Sequence, residues 1–185
     1  MRIISGKFKG RVVKMPKSDL VRPTTDRNKE SLFNYLNNII DFDGIKVCDI
    51  YAGSGALGLE ALSRGAGEVH FVEKNFPVYK TLQENIISLG VESSTKIFKM
   101  EAVKFTTISQ HEQYDLILAD PPFFKDDIHK ALQNLLQRNY LKEEGLIIIE
   151  RSIQTEDKDV KAFKKEPFKK MGDSLFYQFD YSFEN

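Results

Sequence analysis

A chain of 185 residues, 41% hydrophobic and 29% charged, suits one soluble domain with a substantial core, and no apolar run is long enough to span a bilayer. The first ten residues lack the apolar centre of a secretory signal. The lone cysteine, Cys48, excludes an internal disulfide and cannot by itself hold a structural zinc. His70, His111 and His129 are scattered without ligand spacing and read as surface or edge residues, so no metal is expected, and a reducing cytoplasmic setting fits.

Net charge is zero, yet it is unevenly spread. Residues 1–30 hold nine bases (Arg2, Lys7, Lys9, Arg11, Lys14, Lys17, Arg22, Arg27 and Lys29) against three acids (Asp19, Asp26 and Glu30), a net of +6 that the remainder balances. A basic arm on an acidic body suits phosphate binding, and it suits a solvated hairpin equally well.

In chain order, residues 2–15 read as a short β-hairpin with Gly6 and Gly10 near its turn. Residues 20–25 form an extended linker, since Pro23 biases Arg22 away from helix. Thr25 or Asp26 caps a helix whose apolar face is Leu32, Phe33, Leu36, Ile39 and Ile40. Strands and helices then alternate. Strands are expected at 45–50, 68–73, 95–100, 114–119 and 145–151, with helices at 56–64, 76–89, near Val103 and at 127–139. Two strands joined at Gly172-Asp173 close the chain antiparallel, and the lysine-rich 158–170 stretch reads as a solvated edge. The organisation expected is one domain over 1–185, a basic arm and linker (1–25) followed by a helix and an α/β core (26–185).

The strand ending in Asp49 runs into Tyr51-Ala52-Gly53-Ser54-Gly55-Ala56-Leu57-Gly58, a G-x-G-x-x-G loop that opens a helix. Such glycines serve a tight turn, close ligand approach and close helix–strand packing. Glu73, 20 residues beyond Gly53, ends the next strand where a carboxylate can accept both ribose hydroxyls. Asp49 is badly placed for a dinucleotide pyrophosphate but well placed for a cationic amino-acid end, which favours S-adenosylmethionine over NAD. The fourth strand ends in Asp120-Pro121-Pro122-Phe123, beside the end of the first. An exocyclic amine is a poor nucleophile because its lone pair is delocalised into the ring. If the Asp120 carboxylate and Pro121 carbonyl each accept one N–H, the nitrogen can pyramidalise towards a methyl donor. Phe123 offers a face for stacking a base, whereas Phe124 is open between core and pocket wall.

These motifs resemble the class I S-adenosylmethionine-dependent methyltransferases that modify exocyclic amines. Residues 2–13, "RPTTDRNKESLFNYL", "DIYAGSGALGLEALSRGA" and "FVEKN" resemble the RsmD family over essentially the whole chain. That resemblance implies a Rossmann-like fold with a mostly parallel seven-stranded sheet, an antiparallel C-terminal strand and an N-terminal hairpin and helix. It implies methyl transfer to the N2 amine of a guanine in 16S ribosomal RNA, free or within the small subunit, with S-adenosylhomocysteine as product. It places Asp49, Ala52, Gly53 and Gly55 at the methionine end of the cofactor, Glu73 at the ribose, and Lys74, Glu101 and Ala102 at the adenine. Asp120, Pro121, Pro122 and Phe123 match the catalytic motif. Arg22, Pro23, Thr24 and Arg27 match a block that closes over the cofactor side and meets RNA, beside Arg2, Lys7, Lys9 and Arg11 of the arm. Departures are Glu101 where relatives often have Asp, Asn28 where a small apolar residue is expected, and Phe123 where many have Tyr. No membrane or obligate partner chain is expected, and a monomer fits. The alternatives are an adenine-N6 or cytosine-N4 methyltransferase on RNA or DNA, an NAD-dependent oxidoreductase, and a non-catalytic ribosome-assembly protein.

Overall fold

The computed structural model describes residues 1–16, 26–122 and 126–184. Its strands are β1 (Lys46–Asp49), β2 (Glu68–Val72), β3 (Thr95–Phe98), β4 (Tyr114–Ala119), β5 (Leu141–Ser152), β6 (Lys169–Met171) and β7 (Ser174–Phe179). They form one sheet in the order β3-β2-β1-β4-β5-β7-β6. The pairs from β3 through to β5 are parallel, and β7 runs antiparallel to both β5 and β6. This is the Rossmann-like, mostly parallel seven-stranded sheet with an antiparallel C-terminal strand that the sequence leads one to expect.

Parallel strands need cover on both faces, so each strand must be apolar in both directions. On β4, Leu116 and Leu118 join one core with the N-terminal arm, α1 (Asp26–Leu36), α2 (Ala56–Ser63) and α3 (Phe76–Leu89). Ile117 and Ala119 join the other core with α4 (Ala102–Phe105), α5 (Asp127–Gln137) and α6 (Glu156–Phe163). The bounds of α3 follow from local chemistry. Asn75 accepts from the Val78 N–H at 3.3 Å, Pro77 stands in the first turn, and Gly90 leaves the helix at φ 68°.

The arm is the expected hairpin, short and with one antiparallel bridge, Arg2 to Val12, flanked by bonds from the Ile3 and Val13 N–H groups to the Arg11 and Met1 carbonyls, both at 3.0 Å. Its anchoring to the body was not expected: the Ile4 and Ser5 N–H groups donate to Glu60, and the Lys7 N–H donates to the Ser63 carbonyl. Several other expectations are corrected. Helix α1 stops at Leu36, leaving Ile39 45% exposed rather than on the apolar face. Asn28 suits this packing, since its amide donates to the Ser174 hydroxyl at 3.0 Å and that hydroxyl donates to Glu150 at 2.6 Å. Strand β5 starts at Leu141, earlier than expected, across an irregular register with β4. Residues 156–163 form α6, in a stretch whose lysine-rich part (158–170) reads as a solvated edge, because buried Asp159 accepts from Arg151 Nε at 2.7 Å and Thr155 Oγ1 at 2.6 Å. Phe163 completes that helix's buried side.

All of α2 is buried, including Glu60. Its carboxylate accepts from the Ile4 N–H at 2.8 Å and the Ser5 N–H at 3.0 Å, and it pairs with Lys29 Nζ at 3.0 Å and Arg64 Nε at 2.9 Å. Lys29 also donates to the Arg2 carbonyl at 2.6 Å. Removing one member of such a group leaves an uncompensated charge in the core. Glu60→Ala is therefore expected to lower stability by about 3–5 kcal/mol, read as a lower urea midpoint at unchanged slope.

Candidate functional site

The carboxyl ends of β1, β2 and β4 bring three acids together. Strand β1 lies against β4 with Asp49 opposite Leu118, and the Ile50 N–H donates to the Leu118 carbonyl at 3.0 Å. Asp120 follows two residues later. Asp49 is 1% exposed. One of its oxygens, Oδ2, accepts from the Gly58 N–H at 3.2 Å, while Oδ1 is buried with no hydrogen-bond partner. Burial pushes this carboxyl up to about 7, the Gly58 and Tyr51 N–H groups oppose the shift, and the negative charges of Asp120 and Glu73 add to it.

The loop after β1 is shaped by backbone bonds from the Ala52 N–H to the Val72 carbonyl at 3.0 Å and from the Gly55 N–H to the Ala52 carbonyl at 2.7 Å. Gly55 has φ 85°, and a Cβ there would sit 2.4 Å from Leu82 Cδ1. A Cβ at Gly58 would fall 2.3 Å from Phe71 Cε1, so this glycine serves helix–strand packing. Glu73 Oε2 accepts from the Gly53 N–H at 3.1 Å and Oε1 from the Asn75 N–H at 2.7 Å. Burial pushes the Glu73 carboxyl up against those donors. Lys74 and Glu101 pair at 3.2 Å on the exposed side of the same rim, and Ala102 is buried at the start of α4. Asp120 is half-buried, Pro121 buried and Pro122 exposed. Phe123 and Phe124 lie outside the described residues, as do Arg22, Pro23 and Thr24.

Three residues at this rim were not singled out from the sequence. The Tyr51 hydroxyl and Asp127 Oδ1 are both buried and face each other without completing a well-formed hydrogen bond. Burial, then the neighbouring Asp127 carboxylate, holds the Tyr51 phenol above its usual range. Asn85, on α3, donates to the Ser54 carbonyl at 2.9 Å and the Lys14 carbonyl at 3.0 Å, and accepts from the Lys14 N–H at 2.9 Å. Only the position of Tyr51 just after β1 was a signal; Asn85 reads as an ordinary polar helical residue.

The basic arm lies elsewhere. Arg2, Lys7, Lys9 and Arg11 are exposed, as is Arg27 on α1. Lys7 donates its N–H to Ser63 at the far end of α2, about 12 Å along that helix from the glycine loop. Arg11 donates to the Ser88 carbonyl near the end of α3. The arm tip is thus not brought to Asp120, and Lys29 faces inward to Glu60.

The histidine reading fails at His70, which is fully buried on β2. Its Nδ1 is 2.9 Å from the Tyr114 hydroxyl and its Nε2 2.7 Å from Glu68. With Glu112 it forms a group whose candidate ligand atoms lie within 4.8 Å of one another. Lys46 bridges both carboxylates, at the opposite end of the strands from Asp120. Among the described residues, no helix is long and apolar enough to cross a membrane.

Comparison with known proteins gives a consistent result. The family model described as "Conserved hypothetical protein 95" matches residues 1–180. A Bacillus subtilis protein named "Putative rRNA methyltransferase YlbH" is 36% identical over 159 residues, 84% of this chain and 85% of its own. The Escherichia coli "Ribosomal RNA small subunit methyltransferase D" is 34% identical, covering 83% of this chain and 76% of that protein. The solved structure "Putative methyltransferase yhhF from Escherichia coli" superposes with a TM-score of 0.78 at 28% identity, covering 96% of each chain.

The Asp49 shift has a measurable consequence in the ligand-free protein. An acid raised from 3.8 to about 7 in the folded state favours folding while protonated, and that contribution fades as pH rises from about 4 through 7. Asp49→Asn should remove this downward slope, measured as urea midpoints across that pH window.

Proposed function

The chain belongs to the RsmD family, and we propose that it methylates the N2 amine of a guanine in small-subunit (16S) ribosomal RNA, with S-adenosylmethionine as donor. The observation that carries this reading is the buried, unpartnered Asp49 Oδ1 beside Asp120 on the adjacent strand. Such an oxygen suits a cationic ligand group, whereas a dinucleotide would set a pyrophosphate against these carboxylates.

S-adenosylmethionine supplies an electrophilic methyl group on a cationic sulfonium. Asp49 accepts from the ammonium end, with Ala52, Gly53 and Gly55 lining the same end. Glu73 retains a lone pair on each oxygen after accepting from Gly53 and Asn75, so it can still bind ribose hydroxyls. Lys74, Glu101 and Ala102 border the adenine. The Asp120 carboxylate and Pro121 carbonyl accept the amine hydrogens and aim the nitrogen lone pair at the methyl. The methylated nitrogen would be cationic and would lose its extra proton to solvent, so Asp120 need not act as a base before attack. Phe123 is assigned the stacking role from its place in the motif. The names of the relatives direct the reading to ribosomal RNA, naked or in the assembling subunit. Cytoplasmic location, a monomer of one domain, and chemistry without a metal complete it.

The test is to incubate the protein with S-adenosylmethionine and unmodified small ribosomal subunits or their RNA, then analyse nucleosides by mass spectrometry. N2-methylguanosine is expected. N6-methyladenosine or N4-methylcytidine would reassign the base, and calorimetric binding of NAD instead of S-adenosylhomocysteine would end the reading.

Asp120→Ala should remove most turnover while leaving S-adenosylhomocysteine affinity within a few-fold, because its proposed contact is with the amine. Replacing Arg2, Lys7, Lys9 and Arg11 by Gln should weaken RNA binding and flatten its dependence on salt. An unchanged slope in filter binding would make the arm a solvated surface only.

A further inference from the structure

Phe76, the first residue of α3, is 48% exposed. Its ring lies parallel to that of Tyr79, at 13° with centroids 6.3 Å apart. Two ammonium groups sit over it, Lys80 Nζ at 4.7 Å and Lys99 Nζ at 4.5 Å from the centroid. Lys74 precedes it by two residues and shares its charge with Glu101. Scattered exposed apolar residues need no explanation. An exposed ring with three lysines and one nearby acid does, because it combines a stacking face with phosphate-binding groups.

Its location adds to this. Phe76 follows β2 by four residues and Lys99 follows β3 directly. Both therefore lie on the rim formed by the carboxyl ends of the parallel strands, the rim on which β4 presents Asp120. The basic hairpin lies towards the opposite end of α2 and α3.

We propose that Phe76, with Tyr79, Lys80 and Lys99, is a stacking platform for an unpaired base of the RNA substrate near the target nucleotide. The two lysines turn from the ring to the flanking phosphates when the strand arrives. A π-face accepts any base, so the platform holds the strand without reading its sequence. The proposal rests on the ribosomal RNA reading above, and it adds a second contact surface at the catalytic rim.

The experiment measures methyl transfer to unmodified small ribosomal subunits by the wild type, Phe76→Ala, Phe76→Trp and the Lys80→Gln/Lys99→Gln double variant, with S-adenosylhomocysteine affinity by calorimetry. Phe76→Ala should raise KM for the particle about tenfold, with kcat and S-adenosylhomocysteine affinity within about twofold. Phe76→Trp should restore KM, because it restores the stacking face. The double lysine variant should make binding less salt-dependent. An unchanged KM in Phe76→Ala overturns the platform alone. A matching fall in S-adenosylhomocysteine affinity also overturns it, since the ring would then be stacking on cofactor adenine. A wild type that binds S-adenosylhomocysteine yet neither binds nor methylates the particle overturns the RNA reading, and the platform with it.

Discussion

Glu60 is a carboxylate inside a helix with no exposed residue, and the way its charge is neutralised fixes the N-terminal third of the molecule. Its four donors come from the arm (Ile4, Ser5), from α1 (Lys29) and from the end of α2 (Arg64). A buried charge left without partners costs several kcal/mol, by order of magnitude. The neutralised state therefore exists only when arm, α1 and α2 are docked together. From that anchor the arm reaches Lys14, whose backbone N–H and carbonyl both bond to Asn85. The remaining Asn85 donor bonds to the Ser54 carbonyl in the glycine loop. Arm and loop are thus registered by hydrogen bonds to one side chain.

Asp49 is buried to nearly the same degree and is treated in the opposite way. The Gly58 N–H donates to one oxygen, the Tyr51 N–H stands close by, and the second oxygen completes no hydrogen bond. The difference follows from position. Glu60 faces packed segments that can each supply a donor, whereas Asp49 ends a central strand, where the β1–β4 adjacency opens the crevice used by ligands in α/β sheets. Neighbouring Asp120 and Glu73 deepen the negative field there. A buried carboxyl with an oxygen left unfilled is costly to the free fold, a cost that perturbed acids at functional sites commonly carry.

The alternating strands and helices were legible because each leaves a local trace. Residues 76–89 read as a helix because Asn75, Pro77 and Gly90 mark its ends within the chain. The acids at strand ends, Asp49, Glu73 and Asp120, were legible by spacing from the glycine loop and the proline pair. What failed depends on distant partners. Helix α6 looks like a solvated edge until Asp159 is placed against Arg151. The arm reads correctly as a hairpin, but its anchoring does not show, because Glu60 and Ser63, which take the Ile4, Ser5 and Lys7 N–H groups, are more than fifty residues away. His70 looks like an edge residue until Tyr114 and Glu68 surround it. Asn85 gains meaning only through bonds to residues 31 and 71 positions away.

The basic charge of residues 1–30 is also redistributed by folding. Lys29 is spent inside the core and Lys14 pairs with Glu84, so the arm presents less free charge than its composition implies. Among the described residues of the arm, Lys7 and Arg11 lie near the C-terminal ends of α2 and α3, whereas Lys80 and Lys99 flank Phe76 at the N-terminal end of α3. Helix α3 itself measures the gap, since Arg11 meets Ser88 and the ring is residue 76. At 1.5 Å per residue that separation is on the order of 20 Å. A free nucleotide is too small to meet both surfaces at once, and a folded RNA is large enough. Two basic surfaces at that distance, with the acidic crevice at one end of the gap, suit a polymer that is held along the helix and enters the crevice at one nucleotide.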